Sequence, residues 1–271
     1  MTAFQAALLG VIQGFTEFLP VSSSAHLLLV RAVFGWEPEG GFALGFDVAC
    51  HVGTLLAVVA YFRADVIELS RVAMAPRLWF ESKSVAAAML RAITIGTLPI
   101  VVVGVTAADL ISGPVRNALV AGTALAIGGV LMLVVERVGR RTRNENTVGP
   151  WEALGLGFAQ ALALIPGVSR SGAVITVAMF FGFRREGAAR FAFLLGIPAI
   201  LASALKTAAD LSVTGVSVEA LFLFAIGGVC SAIVGYAAVK YFIKYVSRYP
   251  LDVFAVYRIV IASAVVLWAS N

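Results

Sequence analysis

Long apolar stretches, separated by short polar segments, fill most of the chain. Six of them are continuous and long enough to cross a bilayer, which requires about 20 residues. We predict that each of the six forms a transmembrane helix. Their approximate bounds are 42 to 62, 85 to 106, 117 to 136, 187 to 207, 218 to 243 and 252 to 270.

Two further apolar stretches, 3 to 36 and 151 to 183, are interrupted near the middle by Pro, Gly and polar residues. Non-helical backbone at membrane depth persists only where protein or a water-filled cavity surrounds it. We therefore predict that both stretches are re-entrant hairpins. The predicted fold is an all-α polytopic membrane protein with six transmembrane helices and two re-entrant helical hairpins.

The composition supports a membrane protein, because 61% of the 271 residues are hydrophobic and 13% are charged. Soluble domains average about 25% charged residues. The net charge of +5 does not indicate nucleic acid, since the basic residues are concentrated at the ends of apolar segments, as in positive-inside topology. We predict that segments 63 to 84, 137 to 150, 184 to 190 and 240 to 248 face the cytoplasm. Both termini and the segments 37 to 41 (Glu37, Glu39), 107 to 117 (Arg116) and 208 to 217 would then lie outside it.

The two interrupted stretches resemble each other when the chain is shifted by 147 residues, with nine identities in 27 ungapped positions. Three spans separate them, so the second copy is inverted relative to the first. We predict one integral membrane domain made of two inverted halves, 1 to 147 and 148 to 271. Such repeats place a binding site near the bilayer midplane, so the two hairpin tips are expected to meet.

The first tip reads Q-G-F-T-E-F-L-P-V-S-S-S-A-H and concentrates Glu17, Ser22, Ser23, Ser24 and His26. Ionisable groups at membrane depth are costly and typically functional. The serines are also suited to capping the following helix, and for Ser22 capping and chemistry remain equal alternatives. Ser23 is a candidate nucleophile activated by its neighbours, with His26 as proton acceptor. Attack by His26 or by water remains open.

The second tip, P-G-V-S-R-S-G from Pro166, opens a helix with small residues and Arg170. A helix N-terminus binds anions, and a guanidinium binds phosphate through two parallel hydrogen bonds. Arg170 is also suited to pairing with Glu17 across the tips. The two copies differ in complementary ways, because Arg170 corresponds to Ser23 and His26 corresponds to an alanine. A membrane-embedded phosphate ester or anhydride, attached to a lipid, would use both sets of groups.

With these motifs the chain resembles the undecaprenyl-diphosphate phosphatase family of the BacA type, which is linked to bacitracin resistance. The family signatures are Glu/Gln-x-x-x-Glu followed by P-V-S-S-x-x-H, here from Gln13 to His26, and P-G-x-S-R-S-x-x-T, here from Pro166. F-D-V-A-C-H-V-G-T-L-L-A-V, L-L-G-I-P-A-I-L and F-A-V-Y-R-I-V are also similar. Gln13 stands where many members have glutamate, and Val174 replaces the threonine of the second motif.

The resemblance implies hydrolysis of undecaprenyl diphosphate to the monophosphate, with a divalent cation (Mg²⁺ or Ca²⁺). It implies a multi-pass protein of the bacterial plasma membrane whose active site opens to the outer side. The implied partners are the polyprenyl diphosphate lipid and the bilayer, and nucleic acid is not expected. A homodimer is left open. The implied catalytic residues are Glu17, Ser23, His26 and Arg170. The implied substrate-binding residues are Gln13, Ser22, Ser24, Gly167, Ser169, Arg170 and Ser171, and the cation would be held by Glu17 and Gln13.

A transporter or flippase of a phosphorylated lipid is the alternative, because inverted repeats with broken helices are typical of alternating-access carriers. Both functions use Arg170, whereas only a hydrolase needs a nucleophile and a base. Asp47 and His51, which share a face of the first span, are predicted to serve helix packing rather than ligand binding.

Overall fold

The structure is a computed structural model, and it describes residues 1–36, 41–81, 84–107 and 117–269. Within these ranges the chain forms helices and short connections, with no β-strand. The helices are α1 (Ala3–Phe18), α2 (Ser23–Phe34), α3 (Gly41–Tyr61), α4 (Arg63–Ala73), α5 (Pro76–Glu81), α6 (Val85–Thr106), α7 (Ala118–Val138), α8 (Pro150–Leu162), α9 (Arg170–Phe180), α10 (Arg185–Thr214), α11 (Val218–Val246) and α12 (Asp252–Ala269).

Five helices, α3, α6, α7, α10 and α11, are long and apolar enough to cross a membrane. The prediction of an all-α, multi-pass protein is therefore confirmed. The sixth predicted span coincides with α12, which has 18 residues. The predicted loop 63 to 84 instead contains α4 and α5. In α4, Asp65 lies in the first turn and Arg71 in the last, an arrangement that favours a helix through its dipole.

The two interrupted stretches each form a pair of short helices, α1 with α2 and α8 with α9. The longest, α1, has 16 residues and a length of about 24 Å at 1.5 Å per residue. This is shorter than the hydrocarbon core of a bilayer, which is about 30 Å thick. A capping box between Thr2 and Gln5 starts α1, and Gly35 ends α2 in a left-handed conformation.

Glycine contacts hold each short pair against a long helix from the other half of the chain. Gly10 of α1 lies so close to α11 that a Cβ there would overlap the Gly227 carbonyl. Gly157 of α8, which corresponds to Gly10 in the 147-residue register, contacts the Gly96 carbonyl of α6 in the same way. Small residues allow such close helix approach in membranes.

The basic segments converge at one end of the helix bundle. Arg190, at the start of α10, binds Asp65 of α4 at 3.1 Å and Glu145 at 2.9 Å. Glu136, at the end of α7, accepts hydrogen bonds from Arg185 and from the backbone that precedes α12. The prediction that these segments share one side is thus supported by direct contacts. The residues Glu37, Glu39, Lys83 and Arg116, used in the same prediction, lie outside the described residues.

Candidate functional site

Both short helix pairs break at corresponding positions and in the same conformation. Ser22, which precedes α2, has a φ of 72°, and Ser169, which precedes α9, has a φ of 65°. Positive φ is uncommon outside glycine and costs about 1 to 3 kcal/mol, so it persists only where the surroundings impose it. The second break also contains Gly167, with a φ of 91°. This shared strain at two positions 147 residues apart points to a functional requirement.

Glu17 is the centre of the site, at the end of α1 and almost fully buried. Its Oε1 accepts a hydrogen bond from Nη2 of Arg170 at 2.7 Å. Its Oε2 accepts from the Ser23 hydroxyl at 2.7 Å and from Nε2 of Gln13 at 3.0 Å. The prediction that the two tips meet is confirmed by the Glu17–Arg170 ion pair, which joins the first break to the second.

The guanidinium of Arg170 is fixed from two sides. One side binds Glu17, and the other lies against α10, where the lack of a side chain at Gly196 makes room for Nη1. This Nη1 is buried and has no hydrogen-bond partner in the structure. An unpartnered charged donor is unfavourable in a buried site. The guanidinium therefore retains a donor with which to bind an anion.

The remaining serines of the two tips have different roles. Ser169, predicted as a substrate-binding residue, caps α9 by accepting from the Gly172 N–H at 3.2 Å. Ser22 occupies the equivalent position, but its hydroxyl makes no cap hydrogen bond and lies 3.1 Å from that of Ser24. Ser171 donates to the Leu19 carbonyl of the other tip at 3.2 Å. Ser171 therefore connects the two breaks.

His26 lies apart from the Glu17 cluster. Its Nδ1 contacts the Ser22 carbonyl at 2.8 Å, and its Nε2 contacts the Tyr257 hydroxyl at 2.7 Å. Because a carbonyl can only accept, Nδ1 carries the hydrogen in this arrangement. The expected contact between His26 and the Ser23 hydroxyl does not occur, since α2 begins at Ser23 and turns the ring toward α12. A role for His26 in catalysis stays a prediction.

A cavity of about 450 Å³ opens beside the two breaks. Its polar end is formed by Glu17, Ser22, Ser23, Ser24, Ser169 and Arg170, all of which were predicted site residues. Its walls come from α2, α3, α6 and α10 and are mostly apolar, but Arg31, Asp47, His51 and Lys206 also line them. A cavity with a polar end and mostly apolar walls fits an amphipathic ligand. The predicted residues Gln13, His26, Gly167 and Ser171 do not line it and lie behind or beside its wall.

Sequence reasoning missed a second polar group on the cavity wall. The His51 Nε2 lies 3.6 Å from Oε2 of Glu17, and its Nδ1 contacts the Asp47 carbonyl at 2.7 Å. Asp47 receives two hydrogen bonds from Arg31 of α2. The expectation that Asp47 and His51 serve helix packing is therefore incomplete, because both side chains line the cavity. The sequence feature that could have identified them as site residues is the presence of two polar residues one helical turn apart within an apolar span.

The residues around Glu17 are compatible with a hard divalent cation. No group of three or more His, Cys, Asp or Glu side chains comes together among the described residues, so a cage made by the protein alone is not present in them. However, Oε1 of Gln13 is buried without a partner, and Nε2 of the same amide donates to the Glu17 carboxylate. Mg²⁺ typically binds one or two such protein oxygens together with substrate phosphates and water.

Comparisons with known proteins agree with this geometry. Residues 6–264 match the family described as "Bacitracin resistance protein BacA". A protein of Rubrobacter xylanophilus named "Undecaprenyl-diphosphatase" is 44% identical over 262 residues, which cover 96% of each chain. Proteins of the same name from Thermomicrobium roseum and Marinobacter nauticus are each 41% identical, with at least 98% of every chain covered.

Proposed function

The chain belongs to the bacitracin resistance protein BacA family, and on this premise we propose that it hydrolyses undecaprenyl diphosphate to undecaprenyl phosphate and inorganic phosphate. This hydrolase recycles a lipid carrier of cell-wall synthesis and thereby supports bacitracin resistance. One observation carries the proposal. The Ser23 hydroxyl, the Glu17 carboxylate and the Arg170 guanidinium form one hydrogen-bonded unit at the polar end of a cavity whose walls are mostly apolar.

In the proposed reaction, the Ser23 Oγ attacks the terminal phosphorus and Glu17 accepts the hydroxyl proton. The anhydride P–O bond breaks, undecaprenyl phosphate leaves, and water then hydrolyses the phosphoserine to release phosphate. A hydroxyl hydrogen-bonded to a base is the usual arrangement of an activated nucleophile. Direct attack by a water that Glu17 activates remains the competing route.

Arg170 links substrate binding to this proton transfer. Without substrate, its Nη2 is held by Glu17 at 2.7 Å. The phosphate oxygens compete for the same guanidinium, and the unpartnered Nη1 supplies the second arm of a bidentate contact. Transfer of Arg170 from Glu17 to phosphate would release Oε1 of the carboxylate, while Oε2 stays hydrogen-bonded to the Ser23 hydroxyl and accepts its proton. A fixed cation next to the transferring phosphoryl group also stabilises charge in the transition state.

A divalent cation, Mg²⁺ or Ca²⁺, is part of the proposal. Glu17 and the Gln13 Oε1 would hold it, with diphosphate oxygens and water as the remaining ligands. The cation would neutralise charge on the diphosphate. Gln13 is the chain's specific feature here, because an amide contributes an oxygen without adding a second negative charge beside Glu17.

We further propose the layout predicted from sequence, with six transmembrane helices, two re-entrant hairpins and inverted halves 1–147 and 148–271. Three observations support it. The short pairs α1–α2 and α8–α9 are too short to span, and each packs on a long helix of the other half through corresponding glycines. Moreover, α8 starts at the basic end of the bundle, whereas α1 runs parallel to α11 from the opposite end, because Gly10 contacts Gly227 and Gly14 contacts Ser231.

We also propose that the protein lies in the bacterial plasma membrane with its active site open to the outer side. The basic end would face the cytoplasm by the positive-inside rule. The cavity lies toward the other end, because its lining residues come from the first half of α3 and the second halves of α6 and α10. In each of these helices, that half is the one far from the basic segments.

The test measures phosphate release from undecaprenyl diphosphate by the purified protein in detergent, with and without a chelator. Glu17→Gln should abolish release, and Glu219→Gln, an exposed carboxylate outside the cavity, should not. The same proteins are reconstituted in vesicles, and movement of the lipid across the bilayer is recorded. If the wild type releases no phosphate while its vesicles move the lipid, the chain is a transporter and the hydrolase proposal is wrong.

A further inference from the structure

Arg258 of α12 is a buried cation that the proposed reaction does not use. It is 1% exposed, and within the described part of the chain it forms no ion pair. Its guanidinium donates only to backbone carbonyls, and arginine stays charged in proteins. A buried charge without a counter-ion is strongly unfavourable unless its surroundings satisfy it. The acceptors are the carbonyls of Pro20, Ala124, Leu125, Gly167 and Val168, at 3.0 to 3.3 Å.

These acceptors include corresponding atoms of both helix breaks. Nη1 binds the Pro20 carbonyl at 3.2 Å and Nη2 binds the Gly167 carbonyl at 3.2 Å. Pro20 and Gly167 are 147 residues apart, which is the offset of the internal repeat. Each carbonyl lies two residues before a serine with positive φ. One guanidinium therefore binds the same point of both strained turns.

The surrounding chain makes room for this guanidinium with glycines. A Cβ at Gly128 of α7 would overlap Nη2, and a Cβ at Gly172 of α9 would lie 2.7 Å from Nη1. Helix α7 also provides two of the acceptor carbonyls. The absence of side chains at these two positions is a second, independent indication that the site is built around Arg258.

We propose that Arg258 is a positioning residue for the phosphatase, which holds the two breaks together so that Ser23 and Arg170 face the same phosphoryl group. The proposal rests on the proposed function. Ser23 follows the Pro20 carbonyl by three residues, and Arg170 follows the Gly167 carbonyl by three residues. Movement of either turn would separate the Ser23 nucleophile from the Arg170 guanidinium that stabilises the transferring phosphoryl group. Arg258 itself does not line the cavity and acts through the backbone.

The test compares steady-state phosphate release by the wild type, Arg258→Met, Arg258→Lys and Gly128→Ala in detergent, with the thermal midpoint of each variant measured in parallel. A misplacement of about 1 Å lowers rates by about 100-fold. We expect Arg258→Met to lower kcat by about this factor while KM changes by less than about threefold. Arg258→Lys keeps the charge but reaches fewer carbonyls, so its kcat should fall by about tenfold. The kcat of the separate variant Gly128→Ala should fall by about the same factor.

Gly122→Ala is the matched control, because it adds a methyl group to the same helix and faces α12 through the Val265 and Val266 side chains at 3.1 to 3.2 Å. It should keep the wild-type kcat. The graded order of wild type, Lys and Met at temperatures well below each midpoint would distinguish positioning from a loss of folded protein. If Arg258→Met does not fold, Arg258→Lys and Gly128→Ala decide by the same criteria.

Folded Arg258→Met or Gly128→Ala with the wild-type kcat would overturn the proposal. A rise in KM with kcat intact would also overturn it, because Arg258 would then act on substrate affinity. An inactive wild type would refute the phosphatase function itself, and with it the reaction that Arg258 is proposed to serve. An active wild type with equally active variants refutes the role of Arg258 alone.

Discussion

A single methyl group at Gly196 should disable the site although no charged residue is substituted. Gly196 of α10 lies against the Arg170 guanidinium, where an alanine Cβ would overlap Nη1 and lie 2.6 Å from Cζ. Carbon atoms in contact are about 3.5 to 4.0 Å apart. The guanidinium must therefore move by about 1 Å, and the cavity is the open side.

The expected loss follows from the misplaced guanidinium, which in the proposed reaction must bind the phosphate oxygens. A displacement of about 1 Å is enough to break a hydrogen bond as short as the one between Nη2 of Arg170 and Oε1 of Glu17, which is 2.7 Å. Misplacement on this scale lowers rates by about 100-fold. For Gly196→Ala we expect kcat/KM to fall by about this factor, or about 2.7 kcal/mol of transition-state stabilisation at 1.36 kcal/mol per tenfold.

The assay is phosphate release from undecaprenyl diphosphate, with Gly149→Ala as control because its Cβ would meet only the Glu152 carboxylate, at 3.6 Å. Arg170→Ala is measured with and without Gly196→Ala. If alanine at Gly196 acts through Arg170, the double variant should be no slower than Arg170→Ala alone. A wild-type kcat/KM for Gly196→Ala at an unchanged thermal midpoint would refute the reasoning, as would a double variant that is slower still.

Three further predictions concern the first tip. Ser23→Ala should lower kcat by at least about 100-fold if the hydroxyl attacks, while Ser24→Ala should lower it by less than about threefold. Equal kcat values for the two variants would favour attack by water. His26→Ala should lower kcat, and His26→Asn should restore part of it, because the Asn amide can donate to the Ser22 carbonyl that Nδ1 contacts. An Asn variant with a kcat as low as that of the Ala variant would instead indicate proton relay by the ring. Gln13→Glu would place two carboxylates about 3 Å apart, so Mg²⁺ should raise the thermal midpoint of this variant more than that of the wild type; an equal rise would argue against a cation beside Glu17.

The parts of the site that are local in sequence were predictable. The 147-residue shift between the two copies aligns Ser22 with Ser169, and both residues have positive φ. The inverted repeat led us to expect that the two tips meet and that Arg170 is suited to pairing with Glu17, and these side chains form an ion pair. Repeats preserve backbone geometry, so a comparison of the two copies identifies which atoms share a site even when the side chains have diverged.

Contacts that depend on distant spans were not predictable from the motifs. His51 and Arg258 reach the breaks from α3 and α12, and nothing in the local sequence of either helix specifies the rotation that directs it there. The available signal was a charged or polar group inside an apolar span, which is a functional indication in a membrane protein. Proximity in sequence also misled: three residues separate Ser23 from His26, yet the start of α2 turns the imidazole toward Tyr257.

The charges around the cavity explain why a cation belongs to the proposed reaction. Glu17 is paired with Arg170, Asp47 with Arg31, and Lys206 with Asp210, so each pair is neutral before substrate binds. Among the residues that the structure describes, Arg258 is the buried guanidinium without a carboxylate partner, and it lies behind both breaks. A diphosphate carries about two or more negative charges at neutral pH, which exceeds this single positive charge in an environment where ions interact strongly. The remaining charge must be neutralised from outside the chain, which a divalent cation beside Glu17 would do. Loss of one phosphoryl group reduces that charge, so the lipid monophosphate should bind more weakly than the substrate and leave.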